Sequence, residues 1–325
     1  MNVRRLIPTA ATAGAVTLGL LALSACSSSD TAGGKGDGRL AVTASFYPMQ
    51  FLAQQIGGDH VSVTTLTKPG TEPHDLELSP RETARLSQAD VIVYLKGIAP
   101  AVDDAIGQSG ARQIVDATSL TEMEHHGTEV GHAHEGDEGH GDEEHAEEES
   151  ANGNDPHIWL DPVKYAEVAK GVGAALEKAD PDHAATYRTN TGTLVGKLGA
   201  LDTAFEQGLA DTATRTFITT HAAFGYLAER YGLEQEAIAG VDPEAEPSPA
   251  RVKELGTIAR QDKVSTVFFE TLASDRTAKT IAGDTGLRTD VLDPLEGITA
   301  KSKGSDYLQV MKSNLAALQN ALGAK

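Results

Sequence analysis

The sequence Ala89-Asp90-Val91-Ile92-Val93-Tyr94-Leu95 is a short, nearly continuous apolar run, typical of a strand buried on both faces. Upstream of it, Arg39–Ser45 is a strand candidate, and Val61–Leu66 alternates with the β-branched bias of a strand. Apolar spacing predicts helices around Met49–Ile56 and over Ser79–Gln88. Strands that alternate with helices indicate a parallel sheet flanked by helices, which is an α/β fold.

The same alternation returns in the last third of the chain. Thr216–Thr220, Ser265–Phe269 and Leu287–Leu292 have the composition of strands. Helical patterns lie between and after them, over Ala222–Tyr231, Pro249–Asp262, Asp275–Asp284 and Ser305–Leu322. The two halves share this rhythm without sharing a sequence repeat, so we expect two separate α/β lobes.

One long helix is predicted between the two series. Asp161-Pro162 provides a cap and a first-turn proline for one helix, and Pro181-Asp182 opens another. The second helix keeps one apolar face for about 30 residues, roughly 45 Å. We therefore assign residues 39–180 to an N-terminal lobe, 181–210 to a rigid connecting helix and 211–325 to a C-terminal lobe.

The net charge of −20 is concentrated in one part of the chain. Residues 122–149 contain 12 acidic residues, no Lys or Arg, and six of the 11 histidines. These histidines are His125, His126, His132, His134, His140 and His145. The charge disfavours nucleic acid and an anionic membrane surface as partners. The low apolar content predicts that residues 122–154 form a disordered His-rich loop.

The N-terminus has the pattern of a secretion signal. A basic head precedes an apolar run from Leu6 to Ala25, which approaches the length of a membrane span. However, Leu23-Ser24-Ala25-Cys26 resembles a bacterial lipobox. We therefore expect residues 1–25 to be a lipoprotein signal peptide and 26–38 to be a flexible tether that begins at a lipidated Cys26. Because Cys26 is the only cysteine, disulfides within the chain and thiolate metal sites are excluded.

Three histidines outside the His-rich loop lie where α/β proteins bind ligands. His74 follows the strand Val61–Leu66, and His221 follows the strand Thr216–Thr220. His157 lies between the acidic run and the next helix. Loops at the carboxyl ends of parallel strands commonly hold ligands, and three imidazoles suit Zn²⁺, which prefers four ligands. Taken singly, a loop histidine is more often structural, and the sequence has no compact HExxH or CxxC motif.

Longer motifs along the chain resemble a known family. In chain order they are Phe46-Tyr47-Pro48, Pro73-His74-Asp75, Asp155-Pro156-His157-Ile158-Trp159-Leu160-Asp161-Pro162, Thr220-His221-Ala222-Ala223-Phe224-Gly225-Tyr226-Leu227, Glu246-Pro247-Ser248-Pro249 and Leu292-Asp293-Pro294-Leu295-Glu296. Together with the lipobox, they resemble the metal-binding lipoproteins of zinc and manganese ABC importers, the cluster A-I substrate-binding proteins. The resemblance covers nearly the whole mature chain. It implies two Rossmann-like lobes, a rigid connecting helix, a metal in the cleft between the lobes, and no catalysis.

The same resemblance implies roles for individual residues. His74 and His157 match the metal ligands of the N-terminal lobe, and His221 matches that of the C-terminal lobe. Glu296 matches the acidic ligand of several zinc relatives and is the favoured fourth ligand. Asp293 matches the acidic position of manganese relatives and is the runner-up, with water as a further option. Manganese relatives tend to have Glu at the position of His221, so the histidine favours Zn²⁺ over Mn²⁺.

The function implied by the resemblance is capture of Zn²⁺ outside the cytoplasmic membrane. The chain would be a monomer, anchored to the cell membrane through Cys26, and would deliver Zn²⁺ to the permease of an ABC importer that works with a cytoplasmic ATPase. The His-rich loop would capture Zn²⁺ weakly and feed or sense the cleft site. Glu72 is a lesser ligand candidate.

Three alternative functions remain open from the sequence. The first is a Mn²⁺ or Fe²⁺ carrier of the same family. The second is a secreted zinc hydrolase, which needs a metal-bound water and a general base such as Glu72, Asp293 or Glu296. The third is a surface zinc buffer or adhesin in which the His-rich loop is the main functional part.

Overall fold

The computed structural model describes residues 38–126, 154–243, 245 and 247–325. The predicted signal peptide, Cys26 and the tether as far as residue 37 lie outside the described residues. So do four histidines of the His-rich loop, which are His132, His134, His140 and His145. Among the described residues, no helix combines the length and the hydrophobicity that crossing a membrane requires.

The N-terminal lobe is built on a parallel sheet. Its strands are β1 Leu40–Ala44, β2 Val61–Thr65, β3 Val91–Tyr94 and β4 Ile114–Asp116. Their spatial order is β2-β1-β3-β4. The central strands β1 and β3 pair from Val42 opposite Val91 to Ala44 opposite Val93. Val91, Ile92 and Val93 are fully buried, as the continuous apolar run predicts.

Helices α1 Tyr47–Gly57, α2 Pro80–Leu86 and α3 Pro100–Gly107 accompany this sheet. Ser79 caps α2 through a reciprocal pair of hydrogen bonds with Glu82, which explains why this helix was predictable. Helix α3 and strand β4 were not predicted. No side chain caps α3, and β4 has only three residues, so neither carries a strong local signal.

Two helices lie between the sheets, α4 Pro162–Ala179 and α5 Ala184–Gly208. Asp161 caps α4 by accepting hydrogen bonds from the N–H groups of Val163 and Lys164. Residues Pro181–His183, which the sequence assigns to the long connecting helix, form a 3₁₀ turn instead. Helix α5 is therefore the long helix between the two sheets, and the lobe boundaries stay predictions.

The C-terminal lobe repeats the topology of the first. Its strands are β5 Thr216–Thr219, β6 Glu234–Ala237, β7 Thr266–Phe269 and β8 Arg288–Val291. They pair in parallel in the order β6-β5-β7-β8. Strand β6 was not predicted, because its sequence Glu-Gln-Glu-Ala has low strand propensity and lies at a sheet edge. The similar rhythm of the two halves thus corresponds to the same strand order.

The helices of this lobe are α6 Gly225–Arg230, α7 Pro249–Gln261, α8 Arg276–Thr285 and α9 Tyr307–Leu322. Helix α6 begins three residues later than predicted. The N–H of Ala222 donates to the carbonyl of Gly240, and that of Phe224 donates to the side chain of Gln235. These bonds hold residues 221–224 in an irregular turn that leaves the strand for the helix.

Aromatic side chains join the two lobes. The ring of Trp159 is fully buried, and its Nε1 donates to the carbonyl of Pro294 at 2.7 Å. The hydroxyl of Tyr307 donates to the carbonyl of Trp159 at 2.6 Å. The predicted fold of two parallel α/β lobes with a helix between them is confirmed, and these contacts hold the loop after β8 against the N-terminal lobe.

Candidate metal centre

Three histidines converge on one carboxylate oxygen in the cleft between the lobes. Oε1 of Glu296 lies 3.3 Å from Nε2 of His74, 3.4 Å from Nε2 of His157 and 3.3 Å from Nε2 of His221. His157, His221 and Glu296 are buried, and the side chain of His74 is 10% exposed. The four residues that the sequence singled out are thus brought together.

Each of these side chains comes from a different loop. His74 lies between β2 and α2, and His157 immediately precedes a 3₁₀ turn that leads into α4. His221 follows β5, and Glu296 follows β8. Two donors therefore belong to each lobe, so the geometry of the group depends on how the lobes are placed against each other.

Buried carboxylates orient two of the rings. Nδ1 of His157 lies 2.7 Å from Oδ1 of Asp155, which also accepts from the backbone N–H of His157 at 2.9 Å. Nδ1 of His221 lies 2.7 Å from Oε1 of Glu270. An ionised carboxylate only accepts hydrogen bonds, so in the neutral form of each ring the proton lies on Nδ1 and the lone pair of Nε2 faces the cleft. This pairing of carboxylate and histidine is characteristic of metal-ligating imidazoles.

The inward-facing atoms lack ordinary hydrogen-bond partners. Nε2 of His157, Nε2 of His221 and Oε2 of Glu296 are buried without one. Buried polar atoms are almost always paired, so this grouping requires an explanation. A tetrahedral Zn²⁺ with ligands at about 2.0–2.1 Å separates its ligand atoms by about 3.3–3.4 Å. The distances from Glu296 to the three imidazoles match this separation.

Charges within the group favour a bound cation. Burial alone would raise the pKa of Glu296, but the attraction of the close imidazoles of His157, His221 and His74 outweighs burial and holds this pKa well below its usual range. Burial alone would lower the pKa of His221, but Glu270 and Glu296 outweigh it and raise this pKa well above its usual value. A negative carboxylate therefore faces imidazoles that readily take up positive charge.

Glu72, the lesser ligand candidate, lies beside this group. Burial, together with the charge of Glu296, raises the pKa of Glu72 to about 9. Its carboxyl oxygen comes within 4.8 Å of oxygens of Glu270 and Glu296. This shift favours the neutral carboxylic acid of Glu72, which is a weaker metal donor than an ionised carboxylate.

Asp293, the runner-up ligand, shapes the loop that presents Glu296. Its carboxylate accepts a hydrogen bond from the N–H of Leu295 at 2.9 Å and from the hydroxyl of Thr271 at 3.2 Å. Leu295 has a φ of 61°, a left-handed conformation that costs about 1–3 kcal/mol in a residue other than glycine. Asp293 lies outside the converging group, and the turn that it stabilises directs Glu296 into the cleft.

Sequence reasoning missed Asp155 and Glu270. Asp155 stands two residues before His157, and Glu270 directly follows the buried strand β7. An acidic residue at the end of a buried strand is a usable signal, but only the fold shows that β5 and β7 are neighbours. The side chains of His221 and Glu270 meet because their strands pair.

Of the histidines in the predicted loop, His125 and His126 are described by the structure. Nδ1 of His126 lies 3.2 Å from Asp155, and its Nε2 lies 2.6 Å from Glu229 in α6. The base of the His-rich loop thus contacts the C-terminal lobe. A role of these histidines in metal capture stays a prediction.

Comparison with known proteins agrees with the fold. The family model of ZnuA, described as zinc-uptake complex component A, periplasmic, matches residues 42–321. The high-affinity zinc uptake system protein ZnuA of Bacillus subtilis is 38% identical over 314 residues, which is 94% of this chain and 95% of the relative.

Two streptococcal relatives extend the comparison. The zinc-binding lipoprotein AdcA of Streptococcus pneumoniae serotype 4 is 36% identical over 305 residues, or 92% of this chain, and this chain spans 58% of its length. The structure of the laminin-binding protein Lmb of Streptococcus agalactiae, described as bifunctional with adhesin and metal transporting activity, has a TM-score of 0.74 at 27% identity. The structural match covers 87% of this chain and 99% of the Lmb chain. On the match of the family model over most of its length, the chain belongs to the ZnuA family of zinc-uptake components.

Proposed function

We propose that this chain captures Zn²⁺ in the cleft through His74, His157, His221 and Glu296 and delivers it to an ABC importer. The observation that carries the proposal is the convergence of three Nε2 atoms on one buried carboxylate oxygen at 3.3–3.4 Å. Three imidazoles and one carboxylate form a nitrogen-rich set that suits Zn²⁺, whereas Mn²⁺ favours oxygen donors. The same donor set argues against the manganese carrier.

The arrangement supports binding rather than hydrolysis. A catalytic zinc site keeps one coordination position open for water and places a general base beside it. Here Glu296 supplies a fourth donor, while Asp155 and Glu270 are engaged with the Nδ1 atoms of their histidines. Burial and the charge of Glu296 raise the pKa of Glu72 to about 9, which disfavours the ionised form that a general base requires.

The distribution of donors over both lobes supports delivery. A small rotation of the lobes would separate His74 and His157 from His221 and Glu296, which would split the coordination shell. We propose that docking on the membrane permease of an importer, with its cytoplasmic ATPase, favours that separation. Extracytoplasmic location and a lipid anchor on Cys26 complete the proposal, supported by the lipobox and by the lipoprotein AdcA among the relatives.

Metal titration of three forms of the full chain tests the proposal. These are the wild type, His221→Ala, and a form in which residues 127–153 are replaced by a short Gly-Ser linker. The N–H of Asp155 donates to the carbonyl of Glu124 at 2.9 Å, so the ends to be joined are adjacent. We expect one tight Zn²⁺ in the wild type and the linker form, and its loss in His221→Ala.

Two outcomes would contradict the proposal. Loss of tight Zn²⁺ binding in the linker form would favour the buffer or adhesin, in which the His-rich loop is the main functional part. Equal or stronger selection of Mn²⁺ over Zn²⁺ by the wild type would favour the manganese carrier. Glu206→Gln, at an exposed position of α5, serves as the control for a general loss of negative charge.

A further inference from the structure

Helix α6 contacts both ends of the chain segment that carries His157. This segment, Asp155–Asp161, lies in the predicted N-terminal lobe, and α6 follows His221 in the C-terminal lobe. Tyr226 contacts the first residue of the segment, and Arg230 contacts the last. We propose that Tyr226 and Arg230 are positioning residues for His157, so that the helix next to one imidazole also orients another. The inference rests on the proposed function for the role of His157 as a Zn²⁺ ligand.

The hydroxyl of Tyr226 contacts the residue that orients His157. Tyr226 is buried, and its hydroxyl donates to the backbone carbonyl of Asp155 at 2.9 Å. The carboxylate of the same Asp155 lies 2.7 Å from Nδ1 of His157. Asp155 therefore accepts from Tyr226 with its main chain and holds the imidazole with its side chain. A shift of that carbonyl would move the carboxylate and, with it, the ring.

A second hydrogen bond keeps this hydroxyl in place. The N–H of Glu124 donates to it at 2.8 Å, and the N–H of Asp155 donates to the carbonyl of Glu124 at 2.9 Å. Burial raises the pKa of Tyr226, so the hydroxyl stays protonated and keeps its proton for Asp155. Removal of the hydroxyl would leave the N–H of Glu124 and the carbonyl of Asp155 without this partner, and the segment would be less firmly held.

A glycine allows α6 to approach the segment this closely. A Cβ added to Gly225 would lie 2.9 Å from Oδ2 of Asp155 and 2.1 Å from the Cβ of His126. Non-bonded atoms in a packed interior do not come so close, so a side chain at this position would push the helix away from the segment. The hydrogen bond from Tyr226 to Asp155 therefore depends on the residue that precedes Tyr226.

Arg230 holds the other end of the segment. Its Nε and Nη2 donate to Oδ2 of Asp161 at 2.8 and 2.6 Å, and Asp161 is buried. Oδ1 of Asp161 caps α4. Hydrogen bonds between charged partners are stronger than those between neutral ones. Arg230 and Tyr226 are four residues apart and share one face of α6, so a single helix face reaches both ends of the segment.

The middle of the segment is also held from the C-terminal lobe. Nε1 of Trp159 donates to the carbonyl of Pro294, in the loop that carries Glu296. The rotation proposed for release, which separates His157 from His221, must break the contacts at both ends and in the middle. Once Tyr226 leaves the segment, the orientation of His157 is no longer fixed. Closure of the lobes and orientation of this donor are thereby coupled.

Zn²⁺ release from the full chain tests the inference. Tyr226→Phe removes the hydroxyl and keeps the ring, and Arg230→Met removes the charge and keeps the aliphatic stem. We expect each to speed Zn²⁺ release to a chelator, and to weaken affinity, by at least about 10-fold, and Arg230→Lys to recover part of the loss. The matched control is Tyr231→Phe, which should change neither quantity. Tyr231 is also buried, and its hydroxyl donates to Asp202 of α5 at 3.1 Å.

A second measurement does not depend on zinc. Nitrogen NMR of the histidine side chains in the metal-free chain follows the Nδ1–H of His157, whose signal is identified by its loss in His157→Gln. We expect this proton to exchange with water faster in Tyr226→Phe than in the wild type, and at the wild-type rate in Tyr231→Phe.

The outcomes separate this inference from the proposed function. In a chain that binds Zn²⁺ tightly, equal effects of Tyr226→Phe and Tyr231→Phe on release would overturn the inference, because both would then act through general stability. Exchange of the His157 proton at the wild-type rate in Tyr226→Phe would overturn it too. A wild type without tight Zn²⁺ binding, in which Tyr226→Phe still speeds that exchange, would contradict the proposed function while supporting the positioning of His157.

Discussion

Nδ1 of His221 lies 2.7 Å from Oε1 of Glu270, and both side chains are buried at the carboxyl ends of paired strands. The same oxygen accepts a hydrogen bond from the hydroxyl of Thr220 at 2.6 Å. Glu270 thus holds the ring in one tautomer and one orientation. It positions the donor of the C-terminal lobe without itself being one of the four converging residues.

Changing Glu270 to Gln should weaken Zn²⁺ binding by about 10–100-fold, because the ring loses the negative charge that strengthens Nε2 as a donor. Chelator-competition titration measures the change. The control is Glu177→Gln, a substitution of the same type near the end of α4, outside the loops that carry the four candidate ligands. Unchanged affinity in the Glu270 variant would show that this carboxylate does not position the ligand.

Zn²⁺ affinity should fall as the solution is acidified. Burial tends to lower the pKa values of His157 and His221, but nearby carboxylates outweigh it and raise both above their usual value of about 6.5. Protons therefore compete for Nε2 already above that pH, and binding releases protons. Calorimetry in buffers of different ionisation enthalpy counts the released protons. Zero proton release near pH 7 would contradict the assignment of His157 and His221 as ligands.

The stability of the metal-free chain should depend on pH in the opposite direction, so that it decreases as the pH rises. A raised histidine pKa contributes stability that is fully present below the unfolded value of about 6.5 and is lost as the pH rises through the folded value. We therefore expect the histidine contribution to the free energy of unfolding to decrease as the pH rises above about 6.5. Denaturant titration of metal-free wild type and His221→Ala measures it. Identical pH dependence of the two chains would refute this expectation.

Asn314 should be important for both stability and Zn²⁺ binding. Its side chain accepts from the N–H of Asp293 at 3.0 Å and donates to the carbonyl of Asp293 at 2.7 Å. Asn314→Leu leaves both buried groups unpaired, which should cost about 2–5 kcal/mol and loosen the loop that presents Glu296. Denaturant unfolding and Zn²⁺ titration measure the two effects. Lys312→Leu, at an exposed position of the same helix, should change stability by less than about 0.5 kcal/mol.

Lys263→Gly should stabilise the chain. Lys263 is exposed and has a φ of 56°, a conformation that costs about 1–3 kcal/mol in a residue other than glycine. After the larger entropy loss of glycine on folding is subtracted, we expect a gain of about 1 kcal/mol. Lys253→Gly, inside α7, should instead cost about 1 kcal/mol. Equal effects of the two substitutions on thermal unfolding would contradict the strain argument.

Elements with strong local signals were predictable from the sequence. The apolar run around Val91–Val93 is buried as β3, and the cap and proline at Ser79-Pro80 begin α2. Strand β6 escaped prediction because its polar residues form a strand only by pairing with β5. The extended conformation of such an edge strand comes from its neighbour, which the local sequence does not encode.

The residues of the candidate metal centre could be named from the sequence, because His74, His157, His221 and Glu296 stand in motifs that resemble those of a known family. Their meeting at 3.3–3.4 Å required the lobes to be packed together. The carboxylate that Asp155 shares between His157 and His126, and the approach of Glu229, are contacts between chain segments far apart in sequence. Local sequence therefore determined which donors are present and which elements carry them. Long-range packing set their distances, their tautomers and their pKa values, since these depend on burial and on neighbours that only the folded chain supplies.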